Sequence, residues 1–317
     1  MKSCFVNPHF ETLDDLLHES YKYILNDGKD SAGKRGSIRE VNNYTATLTN
    51  SRSRTSLSLD RRLVRSKFAE FAWYLSMDSS KEYIVPYISL YNEEESENKK
   101  ILGAYGPKIF GRKNGFLSQF ERICQQLEIR RDTKQAYISI SDSQDYSVKT
   151  EKHSSPPCTV GLHFLYRENA LNLTTYMRSN DAYFGLPHDL FCFTTLQEMV
   201  AIKLGVTLGK YTHSCTSLHV YDIHFDRVEQ YLEEGLFEHI SMPPMESFND
   251  EILQLVVRAY TSENLAMEEL SQLPPYWHDF SLFSNQYFDK YSNQEQDWLS
   301  LFKTADLKRI AANSITQ

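Results

Sequence analysis

The chain has 317 residues, 41% of them hydrophobic and 13% aromatic, enough to bury the core of one large domain or two ordinary ones. Its net charge of -8 excludes generic DNA or RNA binding, which needs an excess of Lys and Arg against phosphates. No apolar run approaches the ~18 residues of a membrane span, and MKSCFVNPHFETLDD carries acids where a secretory signal is apolar, so a cytoplasmic, reducing environment is expected.

TLDDLLHESYKYILN (12–26) opens on a Thr cap, spaces Leu13, Leu16, Leu17, Tyr21 and Ile24 helically and stops at Asp-Gly, which predicts an amphipathic helix. Residues 29–67 hold ten Lys or Arg, Arg61 and Arg62 among them, against three acids; most read as a solvated face, with one or two suited to a phosphate. YTATLT (44–49) alternates as a strand. RSKFAEFAWYL (65–75) and GFLSQFERICQQL (115–127) predict helices, the first with Phe68, Phe71, Ala72 and Leu75 on one face, the second with Phe116, Phe120, Ile123 and Leu127. Between them YNEEESENKK (91–100) reads as a surface loop. AYISI (136–140) is a strand, and SQDYSVKTEKHSSPP (143–157) a polar loop. TVGLHFLY (159–166), LNLTTYM (171–177) and SLHVYDIHF (217–225) follow as strands around LFCFTTLQEMVAIKLG (190–205), which is apolar on all sides and predicts a buried helix. From Pro243 the pattern is helical and acidic, interrupted by LPPYW. There is no internal repeat, and strands mixed with unevenly spaced helices point to an α+β fold, a mixed β-sheet packed by helices.

Five cysteines (Cys4, Cys124, Cys158, Cys192, Cys215) form no CxxC pair, hence neither a zinc spacing nor a disulfide framework. Cys158 follows two prolines and opens a strand. A lone thiol is ordinarily a small buried hydrophobe. Its neighbours argue otherwise: MRSNDAYFGLPHDL (177–190) and SLHVY (217–221) lie downstream, EFAWYL (70–75) and GAYG (103–106) upstream.

Cys158 after proline, Arg178-Ser179-x-Asp181, Gly185-Leu186-Pro187, His219-x-Tyr221, the Glu70 helix and the Tyr105 turn together resemble the thymidylate synthase superfamily, in order and approximate spacing, over roughly residues 12–235. The resemblance implies a catalytic domain over 1–242 with a helical C-terminal extension (243–317) packed on it. It also implies a homodimer that binds a pyrimidine nucleoside monophosphate and takes a one-carbon unit from 5,10-methylenetetrahydrofolate, without a metal. Cys158 is then the nucleophile that adds to carbon 6 of the pyrimidine, a plausible role for an intrinsically nucleophilic thiol beside a guanidinium. Glu70 organises water for proton transfers and Tyr105 assists loss of the carbon 5 proton. Arg178 and Ser179 hold the phosphate, His219 and Tyr221 the sugar hydroxyl, and Asp181 and Gly185 border the folate. Taken singly, each has an ordinary structural reading: a strand-end Ser and Arg cap and solvate, and an alternating His and Tyr form a half-buried face.

Three departures refine this expectation. Asp189 stands where synthases have an Asn that reads the base. An amide donates to O4 of uracil and accepts from its N3-H, whereas a carboxylate only accepts, so Asp189 favours the amino group of cytosine, as in deoxycytidylate hydroxymethylases. PYISLYNEEESENKK (86–100) lacks the tryptophans that cover the methylene intermediate in synthases, leaving Tyr87 or Tyr91 and an expectation that water adds to give hydroxymethyl. The paired arginines that the family supplies across its dimer match Lys134 and Gln135, and the phosphate-loop arginine is Arg35 or Arg39, with Arg39 preferred; the closing tail of the family is replaced by SITQ. The expected reaction is 5-hydroxymethylation of CMP or dCMP. The alternatives are methylation of dUMP or dCMP, and a non-catalytic nucleotide-binding regulatory protein.

Overall fold

A computed structural model describes residues 7–58, 64–94, 100–146, 155–235, 238–261, 265–291 and 295–315. Cys4, Arg61, Arg62 and parts of the 91–100 and 143–157 segments lie outside the described residues.

The first elements are β1 (His9–Phe10), α1 (Leu13–Asp27), the hairpin β2 (Lys29–Gly33) and β3 (Gly36–Leu48), then α2 (Val64–Ser76), α3 (Lys81–Ile84), α4 (Gly106–Phe110) and α5 (Gln119–Ile129). There follow β4 (Tyr137–Ser139), β5 (Thr159–Arg167), β6 (Ala170–Met177), β7 (Asn180–Asp181), α6 (Gly185–Leu204), β8 (Thr207–Tyr221) and α7 (Phe225–Glu234). The C-terminal part is helical: α8 (Asp250–Tyr260), α9 (Met267–Leu270), α10 (Pro275–Ser281), α11 (Asn285–Tyr291), α12 (Glu295–Ser300) and α13 (Ala305–Ile315). The strands form one sheet in the order β1-β3-β8-β6-β5-β4, with β2 on β3 and β7 on β8. β6 and β7 run parallel to β8 while β3 runs antiparallel to it, so the sheet is mixed and the fold is α+β.

Register sorts the sheet into two faces. Ala46, His213, Thr175, Leu162 and Ile138 are cross-strand partners from β3 to β4, and all are fully buried under the helical layer formed by α1 and α6. The next row, Thr47, Thr212, Thr174, His163 and Tyr137, points the other way and is mostly half-buried. Because side chains alternate with period two, this second face carries hydroxyls and rings where the first carries the core.

Three boundaries differ from the sequence reading. α5 starts at Gln119 because Ser118 and Glu121 form a capping box, which leaves Phe116 outside the helix and 75% exposed. β8 begins at Thr207 and ends at Tyr221, where Asp222–His224 form a short 3-10 turn before α7. β3 extends back to Gly36, since the hairpin with β2 supplies partners for the added residues.

The expected buried helix is α6. Its middle anchors a polar segment that composition alone would leave at the surface. Ser51, Ser53, Arg54, Thr55, Ser56 and Ser58 are all buried. Arg54 Nη2 donates to Glu198 Oε2 on α6 at 2.6 Å and to the Tyr276 hydroxyl of α10 at 3.1 Å, and Arg52 Nε donates to Glu198 Oε1 at 2.7 Å. Arg54 Nε and Nη1 are buried with no partner among the described residues. Replacing Glu198 by Gln therefore leaves a fully buried guanidinium without its counter-charge, and we expect a loss of roughly 3–5 kcal/mol in urea denaturation. A loss below about 1 kcal/mol would show that the pair is no anchor.

Candidate active site

Cys158 sits where the chain enters β5. Arg178, at the end of the neighbouring β6, donates its backbone N–H to Cys158 O at 2.9 Å, its Nε to Pro157 O at 3.1 Å and its Nη2 to Pro156 O at 2.8 Å. The prolines thus offer two carbonyls to a planar fork while fixing their own φ, and the thiol is held at a defined height. Burial pushes the Cys158 thiol up; Arg178 pulls it down, Asp189 and Glu94 push it up again, and Arg35 pulls it down. Tyr105 accepts the N–H of Thr159, the next residue, at 3.3 Å and stacks on Phe193 of α6 with centroids 6.1 Å apart.

Two carboxyl groups from two helices lie near one another here, and the first of them, Asp189, is within electrostatic reach of the thiol. Asp189 lies in the second turn of α6, where burial raises it from 3.8 to about 7 against the lowering effect of Asn180, whose Nδ2 donates to Asp189 Oδ2 at 2.8 Å. Glu70 projects from α2; burial first, then the charge of Asp189, raises it to about 8, while the hydroxyls of Tyr74 (3.3 Å) and Tyr91 lower it. Burial of α2 follows from aromatic packing on both sides. Phe68 lies 4.8 Å from Phe191 of α6 and stacks at 4.2 Å on Phe283 beyond α10, and Phe71 meets Phe280 at 6.2 Å. Beneath Asn180, the His213 ring lies 3.5 Å from its Nδ2 and 2.9 Å from the Tyr211 hydroxyl; burial lowers His213 to about 3, so the imidazole is neutral.

The remaining sequence candidates fall at different distances from this centre. Asp181 Oδ1 accepts the N–H groups of Tyr183 (2.8 Å) and Phe184 (3.4 Å), capping the turn that starts α6 at Gly185. A Cβ on Gly185 would stand 2.8 Å from Asn180 Oδ1, so that position tolerates no side chain while Asn180 holds Asp189. Ser179 is half-buried between β6 and β7. His219 pairs in register with Asp181 and with Glu40, its Nδ1 buried without a partner among the described residues, and its ring meets Tyr221 at 5.2 Å. Arg39, the preferred phosphate-loop arginine, instead pairs with Asp30 at 2.9 Å and lies over the Phe225 ring at 5.1 Å. Arg35, at the tip of the β2–β3 hairpin, is the arginine of that pair within electrostatic reach of both Cys158 and Tyr221. Lys134 is exposed ahead of β4, its carbonyl against the His163 ring at 3.0 Å. Of the two tyrosines expected near the folate, Tyr91 packs on Trp73 at 5.4 Å and reaches Glu70, whereas Tyr87 donates to Tyr260 O at 3.3 Å and faces the C-terminal helices.

A profile of the family described as thymidylate synthase matches residues 16–274. The chain belongs to the thymidylate synthase family. The fold is similar to that of thermostable thymidylate synthase A from Bacillus subtilis, with a TM-score of 0.58 and 20% identity over 72% of this chain and 86% of that one. Membership gives the class of reaction: folate-dependent one-carbon transfer to a pyrimidine nucleotide, with methylenetetrahydrofolate as co-substrate.

The groups acting on Glu70 and Asp189 are neutral donors or other carboxyls. Sequence reasoning passed over Asn180, the residue that grips Asp189, although the Asn of MRSND was in view; what it lacked was the α6 turn that brings position 180 under position 189. A folded-state pKa raised above its unfolded value stabilises below the unfolded pKa, and that contribution is lost as pH climbs from about 4 through about 7 for Asp189. We expect Asp189→Asn to be more stable than the parent at pH 8, by up to ~4 kcal/mol, with the gap closing toward pH 4. Melting curves across that range decide it, and parallel declines in both proteins would contradict the burial argument.

Proposed function

We propose that this enzyme transfers a one-carbon unit from 5,10-methylenetetrahydrofolate to carbon 5 of a cytidine 5'-monophosphate, CMP or dCMP, and leaves a 5-hydroxymethyl group. On this reading Cys158 adds to carbon 6, carbon 5 attacks the methylene, the carbon 5 proton leaves with help from Tyr105, and water adds to the exocyclic methylene as the folate departs. Adduct breakdown returns the thiol. Arg178, Ser179 and Arg35 take the phosphate, His219 and Tyr221 the sugar, and Asp181 and Gly185 border the folate.

The observation that carries the choice of base is the buried Asp189, held by Asn180 with a pKa of about 7. Neutral cytosine with the acid, or N3-protonated cytosine with the carboxylate, makes the same pair of hydrogen bonds with one shared proton. Uracil fits only the acid, because the ionised form sets two acceptors together at O4, at ~1–3 kcal/mol or more. Hydroxymethyl over methyl is supported by the absence of tryptophan from residues 86–100 and by Glu70, a buried acid suited to holding water. The observation favouring methylation is Tyr91, whose ring covers Trp73 beside Glu70.

Product mass spectrometry with methylenetetrahydrofolate and CMP, dCMP, UMP or dUMP tests the reading, with Cys158→Ala as control. We expect a hydroxymethyl product from a cytosine nucleotide, none from Cys158→Ala, and a preference for cytosine over uracil nucleotides that holds from pH 6 to pH 8, because the two pairings take up the same single proton. A methyl product would sink the water-access argument, and reaction of dUMP alone would sink the Asp189 argument. Nucleotide binding without any product would place the protein among non-catalytic regulators.

A homodimer is supported by the second face of the sheet, where Thr45, Ser214 and Tyr176 form a row beside Thr47, Thr212 and Thr174, with Tyr176 41% exposed. A flat row of hydroxyls and rings suits a second copy of itself, and Lys134 at the sheet edge would then reach toward the other subunit's phosphate. Tyr176→Glu should weaken self-association at least tenfold in sedimentation velocity; an unchanged dimer would move the interface elsewhere.

A further inference from the structure

Three segments meet at one carboxylate beside the approach to Cys158. Glu94 Oε1 lies 3.3 Å from Lys34 Nζ and 3.9 Å from Arg35 Nη2, both at the tip of the β2–β3 hairpin, while Oε2 accepts the Ser155 N–H at 2.9 Å. Lys34 Nζ also donates to Ser155 Oγ at 2.8 Å, and Arg35 Nε donates to Glu93 Oε2 at 2.8 Å. The Glu94 side chain is only 13% exposed, so this is no loose surface pair. An ammonium, a guanidinium and a backbone N–H converging on one anion is the donor set that binds a phosphate group.

Lys34 bonds Ser155, three residues upstream of Cys158, Arg35 joins it through Glu94, and Arg178 grips the intervening Pro156 and Pro157. On the proposed reading the nucleotide brings carbon 6 to this thiol, and Arg35 lies within electrostatic reach of it. We propose that Glu94 is an intramolecular stand-in for the substrate phosphate, holding Lys34 and Arg35 in the free enzyme and giving them up when a nucleoside monophosphate binds. This rests on the reading of the Cys158 pocket as a nucleotide site. The consequence is selectivity for the dianion: a phosphate carrying two charges displaces a carboxylate carrying one, whereas a neutral nucleoside has nothing to exchange for it. Glu94 acts as a positioning residue, because it touches the phosphate ligands and not the reacting atoms.

Titration calorimetry on the full chain separates the possibilities, with inorganic phosphate, CMP and neutral cytidine as probes on the parent, Glu94→Gln and Glu93→Gln. Removing the competitor should tighten phosphate and CMP binding at least fivefold in Glu94→Gln, leave cytidine within twofold, and lower KM for the nucleotide more than it changes kcat. Glu93, 55% exposed, should give the same direction at about twofold, and its variant keeps the test open if Glu94→Gln fails to fold. Structural damage loosens binding, so unchanged or weaker phosphate binding in the folded variants overturns the stand-in role. If no monophosphate binds the parent or either variant, it is the nucleotide site itself that falls, and the proposal with it.

Discussion

Two carboxyl groups with no counter-ion among the described residues, Glu70 and Asp189, are taken out of water close together, and much of the surrounding architecture maintains that condition. Their protonated forms are favoured by burial, with Asp181 adding to it at Asp189 and Asp189 adding to it at Glu70, and the groups that oppose this are neutral donors: Asn180 for Asp189, Tyr74 and Tyr91 for Glu70. The result is a pair poised at about 7 and about 8 in place of two ordinary carboxylates near 4. Proton transfer near neutral pH requires groups in that range, so the free energy lost by burying acids reappears as chemical competence. Because the two interact, they titrate as a pair, and a pH profile reports that pair and not either residue.

The C-terminal helices belong to this arrangement. Phe280 and Phe283 close the outer side of α2, the helix that carries Glu70, and Tyr276 reaches across to Arg54 and thence to Glu198 on α6. The family match ends at residue 274, yet residues 276–283 complete the wall that keeps solvent from α2. These rings pack on Phe68 and Phe71, on either side of Glu70 in the sequence, and so fix the helix that carries it. The buried Arg54–Glu198 pair fixes the wall to the helix bearing Asp189, so the two acids are held by one continuous packing unit.

How much of this was legible depended on whether the signal was local. α1, α2 and α6 were readable because their apolar spacing or uniform apolarity lies within one element. Phe116 misled, since its helical spacing continues past a capping box that starts the helix three residues later. Sequence offered both Arg35 and Arg39 and the choice fell on Arg39; hairpin register puts 35 at the tip and pairs 39 with Asp30. The bonds from Arg178 to Pro156 and Pro157 span more than twenty residues and come from β6 lying against the approach to β5, which no short motif encodes. Tyr87 and Tyr91 differ only in the turn that sends one to the C-terminal helices and the other to Glu70.

The thiol shows how these pieces act on one another. Arg178 lowers the Cys158 thiol, as a neighbouring guanidinium was expected to, while its Nε and Nη2 bind proline carbonyls; burial outweighs it and leaves the thiol above its ordinary range. A charge on Asp189 raises it further. As pH rises through about 7 the free pocket therefore opposes its own activation: the carboxylate forms first and makes the thiolate harder to form. On the proposed reading the base removes that opposition, because a proton shared between Asp189 and N3 of cytosine cancels the carboxylate charge that Cys158 feels. Recognition of the correct base and formation of the nucleophile then become one electrostatic event. An ionised Asp189 facing uracil would keep its charge, and the thiol would stay protonated; the same side chain that rejects the wrong base would also withhold the nucleophile from it.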